Sequence, residues 1–336
     1  MSEESAKIQS RLIRDLEPVV AVELERHLAI QKNWYPHEYV PWSEGRDFAG
    51  PLNGDAWEAK DSRLSSVAQD SLILNLLTED NLPSYHTEIT LSMGRDGAWG
   101  NWIERWTAEE GRHAIVIRDY LMATRGVDPY ELEDLRMAHM SLGYQTPYEN
   151  DMLHTIAYVS FQELATRISH RNTGKISDDP IAEGMMQRIA LDENLHMIFY
   201  RNTLKAALDL EPNAAMRAIA DVVTNFDMPG ANMPGFGRKA VQIALAGIYD
   251  MQQHLEEVIA PVLRAWDVFE RNDLSGDGLV ARDELTAFLA KTTEESDRFN
   301  EKFITTGFAT VLIAAGISSL RPSIKEAHTR IPLRTL

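Results

Sequence analysis

Two short strings repeat in this chain: Glu110-x-x-His113 within TAEEGRH, and Glu193-x-x-His196 within ALDENLH. Residues three apart share a helix face, so each string aims a carboxylate and an imidazole at one point. An isolated glutamate precedes each at a matched interval. Glu79 lies 31 residues before Glu110, and Glu163 lies 30 before Glu193. Four antiparallel helices, two carrying ExxH and two carrying one Glu, would produce this near-duplication. Four Glu and two His projecting into a bundle core are the ligand set of two-metal carboxylate proteins. The spacing therefore predicts an all-α bundle with Glu79, Glu110, His113, Glu163, Glu193 and His196 around a di-iron or di-manganese pair. The surroundings agree: Glu79 follows SLILNLL and Glu163 follows IAYVSF. A glutamate there is costly to bury unless it is paired or metal-bound.

The chain has no cysteine, which excludes disulfides, thiolate nucleophiles, and Cys-ligated zinc or iron–sulfur sites. Electrons for redox chemistry must then come through another cofactor or protein. A formal net charge of −18 disfavours general binding to nucleic acid or anionic membranes, while leaving room for a local basic patch. MSEESAKIQSRLIRDLEP lacks the basic start and apolar run of a secretory signal. The apolar segment VLIAAGISSL, 311–320, is half the length of a membrane span. A cytoplasmic protein without a membrane span is expected.

Apolar periodicity predicts a helix over 7–29, then a Trp/Pro/Gly-rich stretch without helical or strand period that wraps the bundle. Four long helices are expected at about 61–93, 98–124, 151–171 and 178–208, broken at MGRDG, RGVDP, RNTGK with ISDDP, and LEPN. Pro83, four residues after Glu79, should kink or displace the first of them. A further helix near 212–226 leads into DMPGANMPGFG, and helical periodicity resumes over 238–270. Residues 1–285 read as the bundle domain and 286–336 as its peripheral extension, with RPSIKEAHTRIPLRTL extended or wrapped on a neighbour.

Some residues near the ligands read as supports. Asp192, before Glu193, can orient a ligand imidazole by a hydrogen bond. Glu109, before Glu110, reads as a support or as solvent-facing, and Asp80 as exposed. Thr166 follows Glu163 by three; its hydroxyl either bonds back to a helix carbonyl or lies beside bound oxygen. His86 and His170 each follow a ligand Glu by seven residues, roughly 10 Å along a helix, too far to share its ion. Both read as packing or hydrogen-bonding residues. Trp102 and Trp106 fit core packing, with electron transfer as the alternative. Chemistry on an unactivated hydrocarbon would need an apolar cavity beside the metals, which FQELATRISH, LPSYHTEITL and NLHMIFY can line; metal storage would need the same ligands without one.

WTAEEGRH, TEDNLPSY, SFQELATRISHRNTGK and ALDENLH closely resemble the soluble acyl-acyl-carrier-protein desaturases, including their actinobacterial branch. The likeness runs from LEPVV to near residue 285. It implies a ferritin-like di-iron bundle with surrounding helices, dimeric and cytosolic or plastidial. The implied enzyme puts a cis double bond into an acyl chain on acyl carrier protein, using O2 and electrons from ferredoxin. The resemblance makes the six residues above iron ligands, with Glu110 and Glu193 bridging and Glu79 and Glu163 terminal. It links Thr166 to oxygen activation, and Trp34, Asp192 and His113 to an electron path. Two departures stand out: Gly111 replaces an Asn, and Leu195 replaces a basic residue. Docking an acidic carrier protein requires positive charge, for which Arg167, Arg171, Lys175, Arg201 and Lys205 are the candidates. Asp273, Ser275, Asp277, Gly278 and Glu284 fit a calcium-binding EF-hand loop. The resembled family has a similar segment there without calcium, so an acid-capped turn is expected at 273–284. The alternatives are a non-desaturating di-iron oxygenase, and a metal-storage or carrier-binding protein.

Overall fold

The computed structural model describes residues 3–305 apart from 145, 147, 149, 231, 232, 234 and 235. The expectations for 306–336, VLIAAGISSL included, lie outside the described residues. Twelve α-helices and no named strand are present among the described residues, with one isolated bridge between Phe48 and Asp55. No helix among them is long and apolar enough to cross a membrane.

Four helices form the central bundle: α2 (Ser66–Asp80), α4 (Gly97–Ala123), α6 (Met152–Ile176) and α7 (Pro180–Leu210), while α1 (Glu3–Ile30) lies along α4 and α7. Contacts run from α2 to α4, α4 to α7, α7 to α6 and α6 back to α2, which closes the ring. The expected 61–93 helix is two: α2 ends at Asp80 and α3 (Leu82–Met93) starts after Asn81. Pro83 has no N–H to give and sits in the first turn of α3, where none is needed. The break leaves Glu79 in the last turn of α2.

The α6–α7 hairpin is the tightest pair. Asp178 turns through a positive φ of 53°, and Asp179 caps α7 by accepting from the Ile181 and Ala182 amides, with Pro180 at the first helical position. A Cβ on Gly174 would come within 3.1 Å of the Glu183 Cα, so glycine lets the two helices approach closely here.

The 31–65 stretch wraps the bundle as three 3-10 turns, Pro36–Glu38, Trp42–Glu44 and Ala59–Asp61. Arg125 anchors it: Nε donates to Asp61 (3.0 Å), Nη2 donates to the Ala56 carbonyl (2.9 Å), and the guanidinium covers Phe48.

The remaining helices surround this core. They are α5 (Pro129–Leu142), α8 (Pro212–Thr224), α9 (Phe236–Leu245), α10 (Met251–Gln253) and α11 (Ala260–Ala265), the last two joined by a π-helical turn, His254–Ile259. The last, α12 (Asp277–Thr305), packs on α8 and passes residue 285 without a break. It begins at the fifth position of the EF-hand-like string. Arg217 pairs with both Asp277 and Glu284, and Arg271 pairs with Asp273. Asp273, Asp277 and Glu284, the acids at positions one, five and twelve, are thus tied to guanidinium groups, and the chain is already helical where a calcium loop would still be curling round its ion.

Buried His254 in the π turn accepts from or donates to the Tyr249 hydroxyl (2.7 Å), and burial pushes its imidazole down to about 4. An unfolded-chain histidine titrates near 6.5. Between these values the unfolded chain binds a proton that the folded chain refuses, so stability falls on acidification. The expected loss from pH 7 to 4.5 is about 2–3 kcal/mol. Urea unfolding at both pH values should show that difference shrink in His254→Gln; an unchanged difference would assign the acid sensitivity elsewhere.

Candidate metal centre

Each bundle helix delivers the side chains its spacing foretold: Glu79 from α2, Glu110 and His113 from α4, Glu163 from α6, Glu193 and His196 from α7. They assemble as two overlapping groups, Glu79–Glu110–His113–Glu193 and Glu110–Glu163–Glu193–His196, each with ligand atoms within 4.8 Å of one another. Glu110 and Glu193 belong to both groups. All six residues are at most 6% exposed.

The Nδ1 atoms of both histidines face the carboxylates. His113 Nδ1 lies 3.1 Å from Glu193 and 3.3 Å from Glu110, while His196 Nδ1 lies 2.7 Å from Glu110 and 3.6 Å from Glu163. Yet both Nδ1 atoms, with Glu110 Oε1, Glu163 Oε2 and Glu193 Oε1, have no aligned hydrogen bond. Five buried polar atoms that converge without bonding one another fit metal ions between them. A donor set of only carboxylates and imidazoles suits iron or manganese.

Without metal, protons balance the site. Burial, then the Glu193 and Glu110 charges, push the Glu163 carboxyl well above its usual range. Burial opposes the charged imidazoles, but the Glu110 charge and surrounding acceptors hold His113 and His196 well above theirs. Burial also opposes the Glu79 carboxylate, and the His113 imidazole 3.5 Å away together with the His170 hydrogen bond outweighs it. Metal binding must displace the imidazole protons.

The supporting residues form two arms. Behind His113, Asp192 lies 3.5 Å from Nε2 and accepts from Trp34 Nε1 (2.7 Å), Arg112 (3.1 Å) and Arg188. Arg112 also covers the Trp34 ring at 4.9 Å. Behind His196, Glu109 accepts at 2.9 Å from Nε2. Glu109 is 3% exposed, which removes the solvent-facing reading; its second neighbour is His27, for which the sequence carries no signal. A signal for Glu109 existed, since an acid immediately precedes the ligand Glu in both repeats.

The Thr166 hydroxyl lies near the Gln162 and Glu163 carbonyls of its own helix and donates to Glu193 Oε2 at 2.8 Å. His170 hydrogen-bonds Glu79 at 2.8 Å, whereas His86 pairs with Thr107, away from the carboxylates. Trp106 donates to Glu163 (3.1 Å), and Trp102 stacks on Phe199. Asp80 is half-buried rather than exposed, 3.9 Å from Arg136. A Cβ on Gly111 would meet only Leu82, at 3.9 Å, so no packing demands glycine there.

A partly open cleft ends on Glu79 and Glu110. FQELATRISH and LPSYHTEITL line it through Gln162, Leu82, Tyr85, Glu88 and Ile89, but no residue of NLHMIFY does. Nor is it wholly apolar: Tyr85, Tyr144 and Tyr158 stand in its wall with Glu88 and Gln162. Asn194, Met197 and Ile198 of NLHMIFY instead line a second hollow with Leu164, Arg167 and Arg201. On α6 the two linings lie about half a turn apart, so this hollow faces away from the cleft. Arg171 pairs with Glu257, and Lys205 with Asp267. None of the five basic residues of the sequence analysis lines the cleft.

Comparison with known proteins agrees with the geometry. A family model described as "Fatty acid desaturase" matches residues 8–311. Acyl-[acyl-carrier-protein] desaturase DesA1 of Mycobacterium tuberculosis is 51% identical over 304 residues, covering 88% of this chain and 89% of that protein. Stearoyl-[acyl-carrier-protein] 9-desaturase 1 of Arabidopsis thaliana is 28% identical over 80% of this chain and 72% of its own length. The X-ray structure of the M. tuberculosis desaturase DesA2 superposes with a TM-score of 0.67 at 31% identity, covering 83% of this chain and 99% of that one. With the fold, the paired ExxH helices and these matches in agreement, the chain belongs to the acyl-[acyl-carrier-protein] desaturase family.

Proposed function

We propose that this protein is an O2-dependent desaturase of acyl chains carried on acyl carrier protein, with a di-iron centre held by Glu79, Glu110, His113, Glu163, Glu193 and His196. The observation that carries the reading is the cleft ending on Glu79 and Glu110. A storage site needs no such approach for a long substrate. Two bound iron ions would supply the O2 reduction needed to take hydrogen from unactivated carbon.

The protein's own part is positioning and proton control. The cleft walls hold the acyl chain against the Glu79–Glu110 face and limit water beside it. Thr166 fixes Glu193 Oε2 and keeps a hydroxyl proton at that atom. Trp34, Asp192 and His113 form a continuous contact from beneath Arg112 to the carboxylates, suited to electrons from a ferredoxin-type donor. A homodimer and a cytoplasmic setting complete the reading, with 286–336 as an extension of the bundle domain.

The test is turnover of the iron-loaded protein with saturated acyl carrier proteins of several chain lengths, ferredoxin, its reductase and O2. The expected product lacks two hydrogens and carries one cis double bond. A hydroxylated product would mark an oxygenase instead, and no acyl product despite iron oxidation would mark a storage or binding protein.

A further inference from the structure

His27 has no place in the function above, yet it is completely buried. It comes from α1, outside the bundle, and its Nε2 meets Glu109 Oε2 at 2.9 Å. His196 Nε2 reaches the same oxygen at the same distance. Arg105 occupies the other oxygen, Glu109 Oε1. The two imidazoles lie 5.8 Å apart and nearly parallel, with Trp102 edge-on to His27 at 5.1 Å. His27 Nδ1 has no hydrogen-bond partner.

His27, Glu109 and His196 converge closely enough to suggest a third metal group. The surrounding charges argue against it. A cation there would sit beside the Arg105 guanidinium, and His196 already turns Nδ1 toward Glu110 and Glu163. What remains is a carboxylate oxygen receiving two imidazole N–H groups, an arrangement that fixes which nitrogen of each ring carries hydrogen.

We propose that His27 is a positioning residue of the metal centre: through Glu109 it fixes the ring orientation and tautomer of His196, so that Nδ1 is the free metal-facing atom. The role mirrors that of Trp34, whose indole N–H holds Asp192 behind His113. Each metal-facing histidine then has its own buried carboxylate, and each carboxylate its own aromatic donor from the N-terminal segment. Lone-pair sites on Glu109 Oε2 are limited, and without the His27 donor the carboxylate can swing on its Arg105 contact, leaving the His196 ring less constrained.

The inference rests on the di-iron reading, and the experiment separates the two. Glutamine and methionine match in length and shape, but only glutamine keeps an N–H donor for Glu109. Wild type, His27→Gln and His27→Met are loaded with enriched ferrous iron; Mössbauer spectra are recorded, and transfer of iron to a chelator is timed. His27→Met should release iron about 10–100-fold faster than wild type, with one of its two iron signals altered, while His27→Gln stays near wild type. Equal release from the two variants, at any rate, overturns the role of His27. Should His27→Met not fold, His27→Leu takes its place against His27→Gln under the same criterion. Fewer than two irons in the wild type would overturn the di-iron reading itself.

Discussion

Replacing Glu193 with glutamine is expected to reduce bound metal from two ions per chain to one or none and to lower turnover at least about 1,000-fold. Glu193 belongs to both ligand groups. An amide offers a neutral oxygen where both positions need an anionic one, and its N–H₂ would face His113 Nδ1, 3.1 Å from the present carboxylate. Glu163→Gln makes an instructive contrast, because Glu163 belongs to only one group. Burial and its two carboxylate neighbours already favour the protonated, neutral carboxyl in the metal-free chain, and glutamine is its near-isostere. Metal-free Glu163→Gln should therefore unfold within about 1 kcal/mol of wild type, yet hold its second metal poorly. Metal analysis, denaturant unfolding of the stripped proteins and turnover test each part. Two ions and substantial turnover in Glu193→Gln would refute the bridging assignment.

Asp192→Asn should produce the largest loss of stability among the supporting residues, about 3–5 kcal/mol, because it strands buried cationic partners. The carboxylate is 2% exposed and takes contacts from Trp34, Arg112, Arg188 and His113. Burial would raise its titration, but the His113 contact and charge prevail and hold it well below the ordinary carboxylate range. A depressed folded-state value gives stability that is present above the unfolded value, about 3.9, and lost as pH falls below it toward the folded one. The gap between wild type and Asp192→Asn should thus be full at pH 7 and begin to close below pH 4. Reduction of the metals by ferredoxin should slow in the variant more than reduction by a small chemical reductant, if Asp192 carries the contact between Trp34 and His113. Denaturant unfolding across pH and stopped-flow reduction measure the two effects. A pH-independent gap would mean that packing, rather than charge, holds Asp192.

The sequence by itself determined the parts of this protein that repeat. Helical spacing made each Glu and His of the ExxH strings face one way, the matched intervals of 31 and 30 residues implied paired helices, and ISDDP marked where a helix stops. These signals are local because a helix relates neighbours three and four apart by its own geometry. Pro83 reads as a kink in the sequence and is a full break in the fold, since its position in the first turn of α3 costs no hydrogen bond. What only the tertiary structure decided lies between elements. His27 meets Glu109 across 82 residues, His170 meets Glu79 across 91, and the Tyr85, Tyr144 and Tyr158 wall of the cleft draws on three separate segments. Glu109 shows the boundary between the two. Its place before Glu110 was legible, but its burial depends on α1 crossing α4 and α7, and no periodicity within a single helix encodes how another helix will lie across it.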